Sequence, residues 1–148
     1  HYNLKGEKYP APADELAGYE LFKKYDCATC HVGEILGGQS YELIGVQHDY
    51  FADRAAEMTE EDNGRFKQTK IERDRHRFKV PGLRNVELTY PYFHDGSMKT
   101  MDDAVRAMAK YQLGIDLPQQ EVDKIVSFLR TLTGQYKGQT LTNKNMSI

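Results

Sequence analysis

Three stretches of the chain space their apolar residues as one face of a helix. From Asp14 onward, Leu16, Tyr19 and Phe22 recur every third position, and Asp14 stands where an N-cap is needed. This pattern runs straight into Cys27. A second begins at Thr100, with Asp103 placed for a capping-box variant, and sets Met101, Ala104, Val105 and Met108 at i, i+3, i+4 and i+7. Pro118 opens a third near its first turn. Val122, Ile125, Val126, Leu129 and Leu132 form its buried face, and Gly134 is a natural stop. Residues 39–90 are less regular. They carry an acidic run (Asp53, Glu57, Glu60, Glu61, Asp62) and then a basic one (Lys67, Lys70, Arg73, Arg75, Arg77, Lys79). Residues 1–13 hold two prolines and a Lys-Gly turn, and read as an extended linker. Residues 135–148 are polar and read as a loose tail. The expectation is a mainly α domain over 14–134 with no internal repeat.

Composition changes this picture little. The 148 residues suit one compact domain, and 20 basic against 22 acidic side chains give no global field for nucleic acid. Glu72 and Asp74 interrupt the basic run, which fits a solvated or propionate-facing loop better than an RNA-reading surface. The acidic run offers a surface that steers a basic partner, or simply a solvated one. No apolar run approaches the length of a bilayer span, so no membrane partner is expected. With His1 at the start and no charged-then-apolar leader, the chain is expected to be a mature protein or part of one. Mean hydropathy is −0.71, yet there are ten Tyr and six Phe.

The cysteines carry the chemistry. Only two occur, Cys27 and Cys30, and His31 follows at once. Cys-Ala-Thr-Cys-His is the C-x-x-C-H motif of haem c attachment. Two thiols three positions apart on a turn or helix end reach the two vinyl groups along one haem edge, and the next residue brings an imidazole under the iron. A thioredoxin-like C-x-x-C needs a βαβ context that is missing, and a zinc site needs two further ligands at short spacing. Gly33, Gly37 and Gly38 then mark a loop in which backbone wraps closely around the cofactor. A haem also supplies apolar surface that helps so polar a chain complete a core. The fold class that follows is a cytochrome c-like fold around one covalently attached haem c.

The sixth iron ligand decides what the haem does. A protein ligand leaves outer-sphere electron transfer, whereas an open position admits peroxide or oxygen. Met58, in the acidic run, and Met146, in the tail, rank low. Met98 lies in a Gly-Ser-Met loop, and Met101 and Met108 share a helix face; spacing leaves these three level. His94 is a rival that would give a bis-His site, against the commoner reading of a hydrogen-bonded turn histidine. His48 and His76 have no supporting pattern. Arg65 and Arg84 are candidate partners for the haem propionates. Tyr92 and Phe93 are expected to pack near the haem.

The sequence resembles the C-terminal haem domain of bacterial di-haem cytochrome c peroxidases over residues 2–134. The likeness rests on Leu4-Lys5-Gly6-Glu7, Cys27 to His31, Leu36-Gly37-Gly38, Asn63-Gly64-Arg65-Phe66 and Val80-Pro81-Gly82-Leu83-Arg84-Asn85-Val86. Leu88-Thr89, Pro91-Tyr92-Phe93-His94, Asp103-Ala104-Val105 and Leu132-Thr133-Gly134-Gln135 continue it in the family's order. The resemblance implies a high-potential His/Met haem. That haem takes electrons from a small donor, a cytochrome c or cupredoxin, and passes them to a peroxide-reducing haem in an N-terminal domain. By position the axial methionine falls on Met108. A related di-haem enzyme of methylamine utilisation has Tyr there, which argues against that branch. The resemblance also implies calcium between the domains, held by backbone carbonyls of Thr89 and Pro91, and a homodimer of the full-length protein. The N-terminal haem domain does not lie within these 148 residues, and His1 falls near the stretch that joins the two domains. The isolated domain is not expected to be an efficient peroxidase, because the resemblance implies an iron filled on both faces. Haem c assembly places the protein in the periplasm. A stand-alone mono-haem carrier and an open-iron ligand-binding domain are the alternative readings.

Overall fold

The computed structural model describes residues 12–54 and 57–143. The linker expected over 1–13 therefore lies almost wholly outside the described residues. In chain order the elements are α1 (Ala13–Lys24), α2 (Cys27–Cys30), β1 (Tyr41–Leu43), α3 (Tyr50–Asp53), α4 (Phe66–Thr69) and β2 (Arg77–Lys79). They continue with α5 (Met101–Met108), a π-helical turn (Ala109–Leu113), α6 (Gln119–Arg130), β3 (Gln135–Tyr136) and β4 (Gln139–Thr140). Short 3₁₀ turns fill the gaps at Glu61–Asn63, Glu72–Asp74 and Val86–Leu88. Helices carry the core, as a mainly α fold requires.

The first helix departs from its expected form. Its N-cap is Pro12, and Asp14 lies inside the first turn beside Glu15. A proline has no N–H to satisfy at a helix start, and acidic groups in the first turn complement the helix dipole. Leu16 and Tyr19 are 49% and 40% exposed; the buried residues are Gly18 and Phe22. The reason is the crossing of α1 over α6. A Cβ on Gly18 would lie 1.8 Å from the Lys124 carbonyl oxygen and 2.9 Å from Phe128 Cβ. The helices meet backbone to backbone, a contact only glycine permits. Phe22 and Tyr19 flank it, their rings each 5.3 Å from that of Phe128.

The other two helices follow their sequence patterns closely. Thr100 caps α5, its Oγ1 accepting from the Asp103 N–H while Asp103 accepts from the Thr100 N–H. Val122, Ile125, Val126, Leu129 and Leu132 are all buried, and full burial of Val122 alone stabilises by about 1.5–3 kcal/mol. They form one cluster with Phe22, Leu83, Met101 and Leu117. Pro118 is the N-cap of α6, but the helix closes at Arg130, short of Gly134. Tightened bonds from Thr131 to Phe128 and Leu132 to Leu129 end it. The Gly134 N–H goes instead to Asn85 Oδ1 at 2.8 Å.

Strands β1 and β2 pair antiparallel, Tyr41 opposite Lys79 and Leu43 opposite Arg77. Bonds from Gly38 N–H to the Val80 carbonyl (2.7 Å) and from Leu83 N–H to the Ile35 carbonyl (2.9 Å) extend this contact. They lay the loop after His31 onto residues 80–83. A Cβ on Gly37, at φ +140°, would reach 2.1 Å from the Pro81 oxygen. Of the tail, Gln135–Tyr136 and Gln139–Thr140 pair as a hairpin, and residues 144–148 lie outside the described residues. Lys137 and Gly138 both have positive φ, the geometry that a two-residue hairpin turn demands.

Candidate functional site

Helix α1 is broken by Asp26 in the left-handed region (φ 53°), which turns the chain so that Cys27–Cys30 forms a separate single turn. Cys27 and Cys30 are both free and half-buried. Burial pushes the Cys27 thiol up to about 11 and also raises Cys30. Thiols held protonated are poor nucleophiles for thioredoxin-like exchange. The His31 N–H donates to the Cys27 carbonyl at 3.0 Å. His31 Nδ1 lies 3.1 Å from the Leu36 carbonyl oxygen. With Nδ1–H donating there, Nε2 keeps its lone pair for a metal, and the ring orientation is fixed from behind. Burial lowers the His31 pKa, opposed by hydrogen bonds to the carbonyls of Leu36 and Pro81. The neutral imidazole that ligation needs is thus favoured.

The methionines separate by environment. Met101 is 8% exposed and belongs to the hydrophobic cluster, so its thioether is used in packing. Met58 is 51% exposed, and Met146 lies outside the described residues. Met98 and Met108 are both half-buried. Met98 is held by backbone bonds to Tyr92. Met108 continues the stripe of Met101 and Val105 and immediately precedes the π-helical turn. His94 is the hydrogen-bonded turn histidine: its Nε2 sits 2.7 Å from Asp62 Oδ1, and its ring stacks on Phe78 at 4.3 Å. His76 is also engaged, its Nδ1 2.7 Å from the Asp62 carbonyl.

The group around Asp62 was not legible in the sequence. Asp62 is 0% exposed. It accepts from both terminal nitrogens of Arg54, from His94 and from the Thr59 N–H and hydroxyl. Arg54 also pairs with Asp95 at 2.9 Å. Ligand atoms of Asp62, His94 and Asp95 lie within 4.8 Å of one another, but the Arg54 guanidinium already supplies their cation. Asp62 lies in an acidic run that reads as solvated, and its partners come from three separate segments.

The remaining candidates are spread around the fold. Arg65 is drawn to Asp74 (3.4 Å) and lies over the Tyr41 ring. Arg84 uses Nε on the Glu34 carbonyl, in the loop that follows His31. Tyr92 packs against the hydrophobic cluster and donates its hydroxyl to the Val86 carbonyl, while Phe93 meets the buried Tyr50 edge-on at 5.6 Å. Thr89 and Pro91 are exposed. Part of both charged runs pairs within the chain, Lys67 with Glu60 and Glu61, Arg75 with Glu72, Arg77 with Glu42 and Lys110 with Asp53.

These residues fit a haem c. Two protonated thiols share one turn, and a neutral imidazole follows them with its outer nitrogen available. Cys27 and the partly buried Ala28, Leu36, Tyr92 and Val105 all pack against the hydrophobic cluster. The Cytochrome c family model matches residues 16–133, and the chain belongs to the cytochrome c family. Among relatives, it is 51% identical over 133 residues to the cytochrome c peroxidase Ccp of Escherichia coli, covering 90% of this chain and 28% of that protein. It is 48% identical over 131 residues to the cytochrome c551 peroxidase of Nitrosomonas europaea, covering 88% and 37%. A solved MauG-like protein associated with microbial copper homeostasis superposes with a TM-score of 0.71 at 26% identity, covering 87% of this chain and 46% of that one. The chain thus spans about a third of the length of these curated relatives. Among the described residues no helix is long and apolar enough to cross a membrane.

Proposed function

We propose that this chain is the electron-entry domain of a bacterial cytochrome c peroxidase, with one haem c bound through Cys27 and Cys30 and ligated by His31 and Met108. The observation that carries it is the Cys27–His31 turn, with His31 Nδ1 tied to the Leu36 carbonyl and Nε2 left for iron. Bound haem c supplies one-electron exchange between ferric and ferrous iron. The chain's residues set the terms of that exchange. The two thiols fix one edge of the ring as thioethers, and His31 presents a neutral nitrogen. Met108 supplies a soft thioether, which favours the reduced metal and raises the potential. With His31 and Met108 both holding the iron, little of the chain would rearrange on electron exchange and peroxide would find no site here.

The relatives named as cytochrome c peroxidases support the wider reading. In it, a small periplasmic donor, a cytochrome c or cupredoxin, delivers electrons to this domain. They pass on to a peroxide-reducing haem in an N-terminal domain of the same polypeptide. Calcium held by the carbonyls of exposed Thr89 and Pro91 at the domain junction, and a homodimer of the whole protein, belong to the same proposal. Arg84 is the better placed propionate partner, since Asp74 already engages Arg65.

The test is to produce the chain with haem c assembly machinery and examine the product. One haem per chain should remain attached after denaturation, and Cys27→Ala plus Cys30→Ala should abolish attachment. The reduced protein should not bind carbon monoxide or turn over peroxide. Haem lost on denaturation, or carbon monoxide bound by the parent, contradicts the proposal.

A further inference from the structure

The helix bearing Met108 ends in a feature that needs outside support. Residues 109–113 form a π-helical turn, a geometry rare in itself and common at functional sites. Three consecutive side chains or carbonyls of this turn are held by residues 43–53. The Lys110 ammonium pairs with Asp53 at 2.6 Å. The Tyr111 carbonyl accepts from the Gln47 N–H at 2.9 Å, and its ring meets Tyr50 edge-on at 5.1 Å. Gln112 makes the most directed contact. Its Oε1 accepts from the Gly45 and Val46 N–H groups at 2.7 and 3.3 Å, and its Nε2 donates to the Leu43 carbonyl at 2.9 Å.

We propose that Gln112 is a positioning residue for Met108: its amide clamps the π-helical turn onto the end of β1 and so fixes the helix end that presents the Met108 thioether. The inference rests on the His31/Met108 reading above. Its physical basis is the weakness of a thioether ligand, which stays on iron only when the backbone holds it there. Relaxation of the turn to α-helical register would carry Gln112 off the 43–46 segment and release the residues next to Met108. Only an amide side chain of this length both accepts from two N–H groups and donates to a carbonyl.

The experiment uses the haem-loaded chain and imidazole as a competing ligand for ferric iron. In Gln112→Leu, which loses three hydrogen bonds at similar size, imidazole should bind about tenfold more tightly. The weak red-edge sulfur-to-iron charge-transfer band should fade. Gln112→Glu keeps the acceptor and loses the donor, so it should shift in the same direction by a smaller factor. It also serves if Gln112→Leu does not fold. Tyr25→Phe removes a bond to Glu121 between α1 and α6 (2.6 Å) and should lower Tm while leaving band and imidazole affinity as in the parent. Parent-like imidazole affinity in both Gln112 variants overturns the inference if Met108→Ala has lost the band. A band that survives in Met108→Ala overturns the ligand reading itself, and this inference with it.

Discussion

Asp62 is the residue at which burial and charge are most sharply opposed. Hydrogen bonding from Arg54 is the largest influence and holds its carboxyl well below the usual carboxylate range; burial works against it, and His94 and Thr59 add to it. Because the folded-state pKa is depressed, the resulting stability is fully present above the unfolded value of about 4 and is lost as pH falls through the folded value. The haem-loaded parent should therefore keep a level Tm down to about pH 4 and lose it steeply below. Asp62→Asn leaves the Arg54 charge with a weaker partner. It should be less stable at neutral pH, by about 3 kcal/mol, with a flatter acid limb. An acid limb identical to the parent's would show that Asp62 is not the group responsible. At this scale, legibility in the sequence depended on contiguity. Cys27, Cys30 and His31 stand together because the attachment chemistry needs them on one turn. Asp62 gathers Arg54 and Thr59 from nearby and His94 from 32 residues away, and Gln112 reaches Leu43, 69 residues away; nothing in their local spacing marks them.

Among the elements, α5 and α6 were legible because their burial follows apolar periodicity and Thr100 and Asp103 form a capping box. Helix α1 was misread on its packing face for a physical reason: its closest contact is a glycine, which no count of hydrophobic positions detects. That contact gives a sharp expectation. Gly18→Ala places a methyl group 1.8 Å from the Lys124 carbonyl oxygen, so α1 and α6 must separate, at a cost of about 2–3 kcal/mol. Thermal unfolding of the haem-loaded variant should show a clearly lowered Tm. A parent-like Tm would mean that the helices do not cross at Gly18. The β3–β4 hairpin was missed because its strands are two residues each and polar, leaving only the Lys137-Gly138 turn as a signal. The π-helical turn has no sequence signature, and it contacts residues 43–53, far away in the chain.

For the molecule as a whole, a hydrophobic cluster drawn from α1, α5, α6 and the 83–86 segment supports the C-x-x-C-H turn through Cys27 and Ala28, and anchors through Met101 and Val105 the helix that bears Met108. The 32–38 loop, bonded to residues 80–83, ties the His31 side of the fold to the segment that leads into Tyr92. Intramolecular ion pairs match some of the charges in the two runs, and the central chemistry lies in iron ligation. The most direct measurement is the ferric optical spectrum of the haem-loaded parent beside Met108→Ala and Met98→Ala. The account requires the sulfur-to-iron charge-transfer band in the parent and in Met98→Ala, and its loss in Met108→Ala. A band missing from the parent, or surviving in Met108→Ala, would contradict ligation by His31 and Met108 and return the haem to an open or differently ligated state.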